Sequence, residues 1–455
     1  MKTVTPTALY AAGSCRGVLP SPMGASTDDI NHLLRRAGFA PTAAEIAALS
    51  GGTIAAAVEH VLDRSLVPAV VEPPELTDPS KGEWDRSVAL YQWWIERMRT
   101  TPAPLAEKMV VFWHGHFVSG LDKCTVAQMW QQLELFRTQG MGSFHNLAQA
   151  VALNPAMLTY LDNQYNVVGS PNENFARELM ELFTLGIGNY AQDDVVASAR
   201  AWTGYGLTTD GTAFELHPAD HDNANKTFLG TTKDWSGPDI IDEICAGSMK
   251  PVCARWIARK VWSFFAHPDP EPTVLDDVTA ALLASSDLDI TALLRAVFNH
   301  PAFYSAECKQ GLVRTPTEFM VAALRYLGIT AVGDSGGHPE WWADDMGQRL
   351  LYPPNVAGWG SNAYWIGFSA YQARANYARF LTWGAPSSLL GDTTAKPNPA
   401  DAVAEALATF GIASPTAHTT GWMTDWLASE RSAQGWAERV NLITLSLLTP
   451  DFQLA

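Results

Sequence analysis

Charge is scarce in this sequence. Only 17% of its 455 residues are Asp, Glu, Lys or Arg, against about 25% in an average protein. Cations are the scarcer kind: 30 Lys and Arg face 47 Asp and Glu, a net charge of −17. Such a surface repels phosphate backbones and anionic lipids, which excludes nucleic acid as a partner. Cysteine is also sparse and odd in number: Cys15, Cys124, Cys245, Cys253 and Cys308. That argues against a disulfide scaffold, although Cys245 and Cys253 lie close enough in sequence to pair. With no CxxC pair, nothing supports a cysteine-based zinc site. No run of about 18 uninterrupted apolar residues occurs, so no membrane span is expected. A P-loop, GxGxxG after a strand, GxSxG and HExxH are all missing. Nucleotide-binding and serine-hydrolase readings therefore have no motif to rest on.

What the chain does have is apolar material: 47% of residues are hydrophobic and 17 are Trp. That suffices for a large core and rules out disorder as the dominant state. Residues 1–26 are rich in Pro, Gly, Ser and Thr and read as an irregular arm. Lys2 and the stretch Ala8–Ala12 lack an apolar segment long enough for a signal peptide, leaving a cytoplasmic location and export after processing both open. From Thr27 onward, apolar residues recur at three- and four-residue steps. Thr42 and Glu45 form a capping-box signature. The spacing predicts helices over 83–100, 103–116, 125–139, 143–153, 171–186, 193–203, 238–265, 272–284, 289–298, 314–327, 399–410 and 435–447. Residues 205–235 read as a loop or small hairpin, and 334–372 as a Gly-, Pro- and Trp-rich loop. The expected fold is a mainly α, multi-helix globular body over 27–455 with a small irregular or β insert near 205–235. The two loop regions mark its candidate divisions.

Three segments carry residue types suited to chemistry. The first is Glu107–Phe117, which ends in His114-Gly115-His116. An HxH pair supplies two metal ligands, or an acid/base and an orienting group; the competing reading is that both imidazoles pack a helix end. The second is Ser170–Gly186. Ser170, Pro171 and Glu173 suggest a capping box, and Gly186 a helix stop. Phe175, Leu179 and Leu182 form an apolar stripe, leaving Asn174, Arg177, Glu178 and Glu181 on the other. Glu178 and Glu181 are neighbours on a helix. Shielded carboxylates at that spacing repel each other, which raises at least one pKa and suits acid/base work. A solvated stripe with Arg177 paired to Glu173 or Glu181 is the alternative. The third is His217–Asp222 with Asn225 and Lys226, in the non-helical insert, where ligand groups often sit on loops.

The chain also resembles a large bacterial family catalogued as domain of unknown function number 1800. The resemblance runs from His32–Phe39 to the Pro354–Trp359 loop. It includes Phe112–Phe117, Pro155–Asn163, Asn172–Gly186, Ala201–Gly204, His221-Asp222 with Lys226, and Met346–Gln348. It implies membership rather than an activity. Some similar sequences carry His where this one has Phe183.

The matching segments share polar residues, which suggests one convergent site. The leading expectation is a hydrolase or lyase on a polar substrate, with a carbohydrate suggested by the Trp content. Glu178 and Glu181 supply acid and base, while His114, His116 and His221 line the wall. Arg177, Asn172, Asp162, Asn163, Asp222, Lys226, Trp202 and Trp359 are the candidate substrate contacts. This reading needs no cofactor and takes a small molecule or glycan as partner. The alternatives are a zinc, manganese or non-haem iron enzyme using His114, His116 and Glu181, and a non-catalytic carbohydrate-binding or assembly protein.

Overall fold

The computed structural model describes residues 25–330, 337–390, 393, 396–412, 414–431 and 435–455. Most of the expected N-terminal arm, with Cys15, lies outside them. Helices dominate the described residues. They are α1 (Thr27–Ala37), α2 (Ala43–Leu49), α3 (Ile54–Leu62), α4 (Glu83–Thr100), α5 (Pro104–His116), α6 (Val126–Gln139), α7 (Phe144–Ala152), α8 (Pro155–Tyr160), α9 (Asn174–Glu178) and α10 (Gln192–Ala201). After the insert come α11 (Gly237–Cys245), α12 (Lys250–Phe265), α13 (Pro272–Ala284), α14 (Ile290–Asn299), α15 (Pro316–Leu327) and α16 (Pro339–Asp345). The chain ends with α17 (Phe368–Leu381), α18 (Pro399–Thr409), α19 (Ala417–Glu430), α20 (Gly435–Leu448) and α21 (Pro450–Gln453). The insert holds two antiparallel hairpins. Strand β1 (Tyr205–Leu207) pairs with β2 (Phe214–Leu216), and β3 (Lys226–Phe228) with β4 (Thr231–Lys233). The fold is thus mainly α with a small β insert.

Local signals explain many helix starts. Thr42 accepts from Glu45 N, and the Glu45 carboxylate accepts from Thr42 N at 2.7 Å, the reciprocal box its sequence suggests. Thr125–Gln128 and Thr315–Glu318 repeat that arrangement. Three sequence expectations need correction. The 171–186 helix begins only at Asn174, without a side-chain cap. Asn166 Oδ1 takes the Asn172 amide at 2.8 Å, and Asn172 Oδ1 takes the Asn174 amide at 2.9 Å, so the preceding turn is bound elsewhere. The continuous 238–265 helix breaks between Cys245 and Lys250, because the Gly247 amide turns back onto the Asp242 carbonyl and α12 restarts with Pro251 in its first turn. Region 334–372, read as loop, contains α16, a 3₁₀ segment at Asn362–Ile366 and the start of α17. Helix α19 also lies outside the helices that the spacing predicts.

One cluster of buried apolar side chains runs from Ala25, just before α1, to Phe452 in α21. Trp94, Trp113, Trp202 and Trp262 are among its largest fully buried side chains, and Trp365 is buried beside the Trp359-bearing loop. At its centre lies α5, buried almost all round. Two adjacent residues of opposite charge sit on this helix. Glu107 accepts from Arg137 through two bonds of 2.8 and 3.0 Å, from Trp94 Nε1 at 3.0 Å, and from Arg97. Lys108 pairs with Glu318 of α15 and donates to the Gly38 carbonyl at 2.8 Å. Burial alone would raise the Glu107 pKa, but Arg137 and Arg97 outweigh it and hold the carboxyl below its usual range.

Removing one partner of such a network strands the others in the core. Glu107→Ala should therefore lower unfolding stability by about 3–5 kcal/mol, measured by urea denaturation at pH 7. Because its native pKa is depressed, the Glu107 contribution is complete above about pH 4.5 and lost as pH falls further. An unchanged midpoint at pH 7 would refute this role.

Candidate functional site

The second polar segment winds irregularly. Helix α9 passes without a break into a π-helical turn over Leu179–Thr184, with Leu185 N bonded to the Met180 carbonyl. π-turns are rare and recur at functional sites. Gly186 ends the segment with φ of +80°, as its sequence suggests. A side chain there would also collide with the Trp256 ring, 2.7 Å from where its Cβ would stand. The last carbonyls of this turn find partners on other helices. Trp256 Nε1 of α12 donates to the Leu182 carbonyl at 3.0 Å. His116 Nε2 of α5 lies 2.9 Å from the Phe183 carbonyl. Since a carbonyl can only accept, that imidazole carries its proton on Nε2.

Glu178 and Glu181 are both half-buried. Burial, and then the Glu181 charge, push the Glu178 carboxyl above its ordinary value, with Arg177 opposing. Glu181 Oε2 accepts from the Tyr190 hydroxyl at 2.8 Å. Burial and that bond push the Tyr190 phenol up to about 12. Arg177 turns away, to Glu173 at 2.8 Å and to Gln192 at 3.0 Å. Glu178, Glu181 and Tyr190 therefore form one cluster, and Tyr190 is a member that the sequence pattern did not mark.

The other candidate residues occupy separate places. His114 is fully buried: its Nε2 accepts from Leu351 N at 3.0 Å, while Trp94 and Trp359 pack against the ring. His116 reaches the π-turn only through the Phe183 carbonyl. The two imidazoles thus leave α5 toward different neighbours. Among the described residues, no group of three or more His, Cys, Asp and Glu is placed to hold a metal ion. The set His114, His116 and Glu181 does not fit one.

His221 and Asp222 sit at the base of the β insert. His221 Nδ1 lies 2.7 Å from the Thr203 carbonyl, and Asp222 pairs with Arg200 at 2.6 Å. The Arg200 bond holds the Asp222 carboxyl below its usual range. Lys226 is buried against Asp234 and the Trp235 carbonyl. Asn163 donates to the Tyr205 carbonyl at 3.0 Å, and Asn172 bridges toward the Asp162 carbonyl at 3.4 Å. Asp162, with φ of +58°, pairs with Lys123 at 2.9 Å. Trp202 is buried against Phe175 and Tyr205. These groups join the β insert to α8–α10.

Trp359 and His116 instead line a cleft of about 500 Å³, together with Trp256, Lys260, Lys108 and Glu318. Its walls come from α1, α5, α12, α15 and the Trp359–Trp365 segment. Nothing in the sequence singled out Lys108, Lys260 or Glu318. Lys108 and Glu318 pair across a long stretch of chain, and Lys260 comes beside them only in the assembled cleft.

The chain belongs to the family described as protein of unknown function (DUF1800), which it matches over residues 32–454. No curated protein and no solved structure matches the chain.

The buried histidines make the fold acid-sensitive. Burial lowers the pKa of His32 to about 2 and those of His114 and His116 to about 3. The unfolded chain binds these protons near pH 6.5 and the native chain does not, so stability is complete above pH 6.5 and falls as pH drops toward 3. Each ring contributes about 1.4 kcal/mol per pH unit in that window. Urea midpoints at pH 7 and pH 5 should differ accordingly. Equal midpoints would mean that these rings are protonated in the fold.

Proposed function

We propose that the protein is an acid/base enzyme, a hydrolase or lyase acting on a polar, hydroxyl-bearing substrate, with a carbohydrate the preferred class. Glu178 is the proton donor and Glu181 the acceptor. The observation that supports this reading is the half-buried carboxylate pair where α9 passes into the π-turn, with Glu178 raised by burial and by its neighbour. A carboxylic acid that keeps its proton to higher pH can deliver it to a leaving oxygen. Glu181 takes a proton on Oε1, because Tyr190 holds Oε2 and so sets the direction of the group. No step needs a metal or an organic cofactor.

A raised carboxyl destabilises the fold at neutral pH, where the native state must ionise it against its surroundings. Glu178→Gln should therefore cut turnover by about 10²–10⁴-fold while leaving the melting temperature equal or higher. It should also abolish the fall in rate at high pH that follows loss of the Glu178 proton. Glu181→Gln should lose activity comparably, and Tyr190→Phe less. Turnover of a panel of 4-nitrophenyl glycosides alongside thermal unfolding is the test. Full activity in either Gln variant, or a lowered melting temperature with activity intact, would reject the assignment. Absence of turnover on the whole panel would reject the carbohydrate class.

A further inference from the structure

The cleft between α1, α5, α12 and α15 carries charge that the Glu178–Glu181 chemistry does not use. Lys108 is neutralised there by Glu318. Arg36, Arg259 and Lys260 also line the cleft; Arg36 feels the Glu318 charge, but none of the three has a carboxylate within 4.0 Å among the described residues. This excess of cations stands in a chain whose overall net charge is −17.

Arg36 is the most telling of the three. It is 2% exposed and donates through one nitrogen to the Cys308 carbonyl, while its Nε and Nη1 have no partner among the described residues. Buried guanidinium nitrogens are ordinarily paired. Lys260 is also desolvated, and burial lowers its pKa. Its ammonium lies 4.8 Å from the centre of the Trp256 ring. Trp256 is fixed by its bond to the Leu182 carbonyl, and Trp359 stands against His114. Both indoles are only half-buried and border the cleft. The neighbouring His116 is held neutral and adds no charge of its own.

We propose that this cleft is a binding site for a small organic anion. Its carboxylate or phosphate group is held by Arg36, Arg259 and Lys260, and its flat apolar body lies against Trp256 and Trp359. The volume of about 500 Å³ falls within the range of small-molecule sites. Guanidinium groups bind planar carboxylate and tetrahedral phosphate through paired N–H donors. Indole faces add apolar contact that a bare inorganic ion cannot use.

Isothermal titration of the full chain at low salt with phenyl phosphate, benzoate, inorganic phosphate and benzyl alcohol tests the proposal. Phenyl phosphate or benzoate should bind saturably, at least tenfold more tightly than benzyl alcohol, and more weakly as salt is raised. Whichever of the two binds identifies the oxyanion. The double variant Arg259→Gln/Lys260→Gln, at an exposed and a half-buried position, should fold normally and bind at least tenfold more weakly. Glu178→Gln should bind like the unaltered chain, which separates this site from the acid/base pair. No saturable binding of either aromatic anion, equal affinity for benzyl alcohol, or unchanged affinity in the double variant would overturn the site. Inorganic phosphate binding as tightly as phenyl phosphate would overturn the role of the indoles and with it the organic class of ligand.

Discussion

Everything in this fold is arranged around a helix that should not be comfortable where it lies. Helix α5 sits in the apolar centre and carries a carboxylate and an ammonium on successive residues. Neither charge could be buried alone. Glu107 is tolerated because Arg97 of α4 and Arg137 of α6 converge on it. Lys108 is tolerated because Glu318 of α15 and the end of α1 meet it from the opposite direction. The two networks point to different neighbours, so they fix the rotation of α5 about its axis as well as its position. That rotation decides where the helix end delivers its histidines: His114 to the Leu351 amide and His116 to the Phe183 carbonyl.

The carboxylate pair and the cationic cleft meet at the π-turn. On one side of it Glu178 and Glu181 stand with Tyr190. From the other side His116 and Trp256, both lining the cleft, hold its Phe183 and Leu182 carbonyls. Trp256 thus ties a wall of the cleft to the turn that carries Glu181 by a single hydrogen bond. Gly186 keeps that connection tight, because only a residue without a side chain leaves room for the indole.

How much of this was legible in the sequence depended on how local the cause was. The Thr42–Glu45 cap is written within four residues, and it forms. Ser170-Pro171-Asn172-Glu173 has the same local grammar, yet the helix starts later because Asn166, several residues upstream, takes the Asn172 amide. Glu178 and Glu181 were visible as neighbours from their spacing; Tyr190 was not, since it returns to Glu181 only after the Gly186–Gly188 turn. Arg36, Arg259 and Lys260 each read as an ordinary cation on an amphipathic helix. Only the assembly of α1 with α12 puts them around one space and leaves them without an ion-pair partner among the described residues. The Trp count points to ligand faces, yet Trp94, Trp113, Trp202, Trp235 and Trp262 fill the core.

The π-turn has a consequence for where the acid/base geometry resides. One extra residue in a helical turn rotates everything beyond it by about 100° around the axis relative to an α-helix. The wider turn persists here because Trp256 and His116, donors from helices distant in sequence, satisfy its terminal carbonyls. Cut free of those helices, residues 170–190 would lack these donors and would relax toward ordinary α-helical winding, and Glu181 would no longer present its carboxylate to Tyr190. The spacing of the two carboxylates is thus a property of the assembled molecule. The same segment transplanted into another scaffold would keep its letters and lose its geometry.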